Sequence, residues 1–70
     1  MRIEIDSDGL RALVGCRIDA AELFGQYGDG SADGLELTVS DIHGRRAVLT
    51  AEAEQDEIAG ALRVYIAPEE

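Results

Sequence analysis

The residues whose types and spacing come nearest to a chemical site lie between Asp29 and Ser40. Asp29-Gly30-Ser31-Ala32-Asp33-Gly34 puts side-chain oxygens at the first, third and fifth positions of a calcium loop and glycine at the sixth, the order an EF-hand requires. The twelfth position, where a bidentate glutamate closes such a site, is Ser40, and Leu35 to Ser40 alternates like a strand instead of opening a helix. The segment therefore reads as a flexible glycine–aspartate turn whose acids join an acidic surface.

No other constellation survives the same test. His43, the one histidine, stands beside Gly44, Arg45 and Arg46 with no second ligand at a recognisable spacing, so neither a zinc site nor a nucleophilic triad can be assembled around it. Cys16 has no neighbouring base to hold a thiolate and reads as a small buried side chain. Gly25-Gln26-Tyr27-Gly28-Asp29-Gly30 has the letters of a phosphate loop, but no strand precedes it and its acidic surroundings repel phosphate. Paired acids recur throughout the chain, and 70 residues seldom enclose the pocket that acid–base chemistry needs. The expectation is a protein that is not an enzyme and that carries no metal or cofactor.

What remains is charge. Fifteen aspartates and glutamates stand against six arginines and no lysine, a formal net charge of −9. Acids like these ordinarily keep a small domain soluble; yet small domains usually carry a net charge of about 2 to 8 in magnitude, and this excess gives weight to the second reading, a surface that meets a positive partner. It argues against direct contact with nucleic acid or anionic lipid. At 46% apolar and 30% charged the chain is that of a folded globule, and its length allows one domain over residues 1–70, expected to be a monomer. A single cysteine forms no internal disulfide, which fits a reducing, cytoplasmic setting. The opening Met-Arg-Ile-Glu-Ile-Asp lacks the order of a signal peptide, and no apolar run nears the roughly 18 residues of a membrane span.

The elements that must hold these charges can be read from periodicity. Arg2 to Asp6 alternates as a strand, broken at Asp6-Ser7-Asp8-Gly9. Leu10, Leu13 and Val14 are spaced for a short helix capped by Ser7 or Asp8 and ended at Gly15, with a strand through Leu10 to Ile18 as the alternative. Asp19 and Glu22 resemble a capping box, flanked by Ile18 and Leu23, which predicts a helix over Ala20 to Tyr27. A loop from Gly28 to Gly34 follows. Leu35, Leu37 and Val39, then Leu49, Ala51 and Ala53, alternate with polar residues across a turn at Asp41 to Arg45 and form a hairpin. A last strand spans Ala61 to Ala67 before Pro68, while Gln55 to Gly60 fits either a turn or one helical turn. The sum is a small α+β domain, a mostly antiparallel three- to four-stranded sheet packed on one or two short helices. Alternation puts Glu4, Asp6, Glu36, Glu52 and Glu54 on the face turned from the helices.

In size and charge over the whole chain, though in no motif, this sequence resembles the small acidic phage-encoded anti-CRISPR proteins and other DNA mimics. The resemblance implies an inhibitor that binds the basic nucleic-acid-binding surface of a CRISPR effector or similar complex and keeps DNA out, in the host cytoplasm. Its phosphate surrogates would be Asp29, Asp33, Glu36, Glu52, Glu54, Asp56 and Glu57, each meeting Arg or Lys through charge-assisted hydrogen bonds. The competing expectation is an antitoxin-like or adaptor module whose apolar surface makes the contact without DNA mimicry.

Self-repulsion at −9 opposes compaction, so the melting temperature is expected to rise between about 10 mM and about 0.5 M NaCl in a calorimetric series. A flat or falling trend would show that the excess acids do not strain the fold.

Overall fold

The computed structural model describes residues 1–54 and 61–69. Its elements are strand β1 (Ile3–Glu4), helix α1 (Ser7–Arg11), and strands β2 (Arg17–Gln26), β3 (Ala32–Ser40), β4 (Arg46–Glu54) and β5 (Ala61–Pro68). They form one antiparallel sheet in the order β1-β5-β4-β3-β2, a meander whose far edge is closed by the N-terminal strand. Among the described residues the protein is thus mostly β, with five strands where three or four were expected and one five-residue helix. Asp6 caps that helix by accepting the Gly9 N–H at 3.0 Å, one residue earlier than the expected Ser7 or Asp8, and Gly9 lies inside it. The expected loop at Gly28 to Gly34 is shorter: the Tyr27 N–H donates to the Ser31 carbonyl, and Ala32, paired with Gln26, already belongs to β3.

The expected helix over Ala20 to Tyr27 is replaced by the ten-residue edge strand β2. An isolated helix that short is marginal, whereas pairing along β3 satisfies backbone groups from Arg17 to Gln26. A β-bulge between Ile18 and Ala20 hides the strand from a simple alternation. Ile18 pairs with Val39, but the extra residue, Asp19, shifts the phase so that Ala21 and Leu23, and not their neighbours, pair with Leu37 and Leu35.

Register then sorts the sheet into two faces. Ile3, Ile66, Leu49, Leu37 and Ala21 form one row across all five strands, and Val64, Ala51, Leu35 and Leu23 form the next, all apolar and on the same side. The opposite face carries Glu4, Tyr65, Thr50, Glu36 and Glu22 in a row, beside Arg63, Glu52, Gly34 and Phe24. Burial is concentrated at one end of the apolar face, where Leu13 and Cys16 of the turn after α1 close over Val39 and Ala47. Val39 and Leu49 are its buried apolar side chains among the described residues, at 6% and 8% exposure.

Gly34 shows how tightly β3 sits against β4. A Cβ there would fall 2.6 Å from the Ala51 carbonyl oxygen and into the Phe24 ring, which covers the glycine from the neighbouring strand. Gly34→Ala is therefore expected to cost about 1–3 kcal/mol in urea unfolding. Gly28→Ala, where a Cβ meets nothing within 4 Å, is expected to change little, and equal effects would refute the close packing at Gly34.

Candidate functional site

Three of the seven sequence-predicted site residues, Glu36, Glu52 and Glu54, were expected on the polar face and the others in the loop and the turn after β4, and the structure divides them. Glu36 and Glu52 share that face. Glu54 occupies the last register position of β4, opposite Ala61. Asp29 lies in the turn beyond the sheet, its Oδ1 accepting the Ser31 N–H at 2.9 Å and hydroxyl at 2.6 Å, which holds its carboxyl below the usual range. Asp33 falls on the other side of the sheet, over Gly25, and accepts the Tyr27 hydroxyl at 2.6 Å, which pushes the phenol's pKa up. Asp56 and Glu57 lie outside the described residues, as does the Gln55 to Gly60 segment. Asp6, expected among the face acids, instead caps α1.

Where the arginines go decides where the negative charge is left. Arg2 pairs with Glu52 at 3.2 Å while lying 4.0 Å over the Tyr65 ring, and Arg63 reaches Glu4 at 2.9 Å. Arg11 binds Asp8 at 3.0 Å on the helix. At the other end Arg17 and Arg46 grip Asp19 at 2.6 and 3.7 Å, Arg46 also meets Glu69 at 3.6 Å, and Arg45 holds Asp41 at 2.9 Å. All six arginines are thus engaged by carboxylates of the same chain. Among the described residues, none comes within ion-pair distance of Glu22 or Glu36, which stand directly opposite one another on β2 and β3. Cβ atoms of such a pair lie about 4.5–5.5 Å apart, so two like charges are held side by side by backbone pairing.

Glu22 is the candidate residue that sequence reasoning missed, because the capping-box pattern assigned it to a helix. The available signal was the spacing of Ala21 and Leu23 in phase with Leu35 and Leu37 once one residue is allowed as a bulge.

That bulge has its own clamp. The guanidinium of Arg17 and the hydroxyl of Ser40, itself 3% exposed, bond the Asp19 carboxylate and hold its pKa below the ordinary value, outweighing the opposite effect of burial. At Asp41 burial raises the pKa, and the N–H groups of Arg45 and His43 with the Arg45 side chain more than offset it. No three His, Cys, Asp or Glu side chains converge as a metal site among the described residues, and the Asp29 to Gly34 acids point to separate partners.

Compared with known protein families, curated proteins and solved structures, the chain matches none. No described helix is long and apolar enough to cross a membrane.

Because the Asp19 pKa is depressed in the fold, its contribution to stability is present above the unfolded value of about 3.9 and is lost as pH falls through the folded value. Asp19→Asn is expected to be less stable than the natural protein near neutrality, with the gap closing as pH drops below about 3.9 in urea titrations. A gap that stays constant with pH would show that the carboxylate's charge does not hold the bulge.

Proposed function

We propose that the protein is an acidic DNA-mimic inhibitor: its polar face enters the basic nucleic-acid-binding surface of a CRISPR effector or similar complex and excludes DNA. The observation that carries this is the disposition of charge, with every arginine engaged internally and Glu22 and Glu36 left as an uncompensated pair on a rigid sheet. Residues two apart on a strand lie roughly 6.5–7 Å apart and neighbouring strands about 4.8 Å, so the face fixes carboxylates in a two-dimensional lattice. DNA attracts proteins through regularly spaced negative charge, and a lattice of carboxylates answers the same arginines and lysines without offering a base. Guanidinium and ammonium groups of the target would donate charge-assisted hydrogen bonds to Glu22 and Glu36, at Arg and Lys side chains otherwise used for phosphate or for reading a protospacer-adjacent motif. The net charge steers the encounter from a distance.

The test is displacement of a labelled duplex from DNA-binding CRISPR effector complexes, read by mobility shift across salt concentrations. Competition is expected to weaken steeply with salt, and Glu22→Lys with Glu36→Lys to weaken it at least about tenfold while circular dichroism stays unchanged. Arg11→Ala, remote from that pair, is expected to compete as well as the natural protein. Competition by the doubly reversed variant at full strength would sink the mimicry. So would partner binding that persists at about 0.5 M salt, which belongs to an adaptor using its apolar face.

A further inference from the structure

The apolar face is broader than the chain itself covers among the described residues. The turn after α1 closes over its Val39 and Ala47 end, while toward the β2–β3 hairpin Leu23 is 50% exposed and Leu62 on β5 is 67% exposed. Stable domains place a second layer over such a face. Two global measures describe a more open body than a compact monomer of this mass. The accessible surface is 5314 Å², whereas a compact monomer of 7.5 kDa exposes about 4,250 Å². The radius of gyration, 13.0 Å, is that of a compact body of about 100 residues.

We infer that the missing layer is a second copy of the same chain, packed apolar face to apolar face as a two-fold symmetric β-sandwich. The surplus surface, roughly 1,000 Å², matches the ~800 Å² that each partner buries in a standard stable interface. Charge selects self-association over a foreign partner. The rows from Ile3 to Ala21 and from Val64 to Leu23 contain no ionisable residue; the next row, with Leu62 and Ala53, carries one, Asp33, whose carboxylate lies over Gly25 and accepts from the Tyr27 hydroxyl. A partner recruited by the −9 charge is drawn to the polar face instead, whereas a second copy brings an equally uncharged surface and turns its own acids outward. The contact is isologous, so Leu23, Leu35, Leu37, Leu62 and Val64 of each copy meet the same set in the other, with the sheets about 10 Å apart. From the sequence this face was expected to pack on one or two short helices, where the described residues hold one, of five residues.

Sedimentation velocity from about 1 µM to about 500 µM is expected to show a species of twice 7.5 kDa whose melting temperature rises with concentration. Leu23→Asp and Leu62→Asp, both at exposed positions, are each expected to weaken the dimer at least about tenfold, while Glu36→Lys leaves its mass unchanged. If either variant unfolds, the natural protein still decides the matter through isotope-filtered NOEs in a mixture of labelled and unlabelled chains. Methyl contacts between copies involving Leu35, Leu37 and Val64 support the sandwich. A chain that stays single at every concentration overturns it, as do intermolecular contacts running along the β2 edge or a dimer indifferent to both substitutions.

Discussion

One extra residue in the edge strand sets what each face of this protein displays. Without the bulge at Asp19, strict alternation from Ile18 would turn Glu22 onto the apolar face and Leu23 onto the polar one. With it, Leu23 extends an apolar row across β3, β4 and β5, and Glu22 stands beside Glu36. A bulge costs a ladder bond and must be held. Here a single carboxylate does so, bound by Arg17 on its own strand, Ser40 on the next and Arg46 on the one beyond. Both surfaces on which function is argued descend from that clamp.

The same economy governs the distribution of charge. An arginine placed two residues from its acid in sequence, as with Arg17 and Asp19, or across paired strands, as with Arg63 and Glu4, neutralises locally at little entropic cost because the backbone already holds the partners close. Pairs exposed on both sides, such as Arg63 with Glu4 and Arg11 with Asp8, do little for the fold, unlike the Asp19 clamp with its mostly covered carboxylate. Their effect on the field is larger. By engaging every arginine at the bulge end, the helix and the β1–β5 side, they leave Glu22 and Glu36, among the described residues, with no arginine within ion-pair distance.

How much of this was legible follows from the range of the forces involved. The β3–β4 hairpin was readable because Leu35 to Val39 and Leu49 to Ala53 alternate without interruption and Asp41 to Arg45 supply turn chemistry in place. β5 was readable for the same reason, to within one residue at Pro68. β2 was not, since its bulge breaks the alternation at the point where Asp19 and Glu22 imitate a helix cap, and only pairing with β3 arbitrates between the two. Of the candidate acids, Glu36 and Glu52 were placed correctly because their strands are regular. Asp33 was not, because counting it as loop hid the strand parity that sends it to the other face over Gly25.

Acidity and self-association look opposed, and magnitude settles the conflict. In a face-to-face sandwich the two polar surfaces are roughly 20 Å apart, two sheets' thickness, where a unit charge pair in water is worth about 0.2 kcal/mol. Screening at physiological salt, with a Debye length of about 8 Å, cuts that roughly tenfold. Summed over two copies at −9 each, the repulsion is then on the order of 1–2 kcal/mol, comparable to what one fully buried leucine contributes. The apolar rows supply several such side chains from each copy, so burial prevails wherever salt is present. The resulting body carries two acidic faces pointing in opposite directions. On the proposed DNA-mimic reading, a basic groove that accepted one of them would leave the other in solvent, and one such dimer would block two DNA-binding surfaces at once.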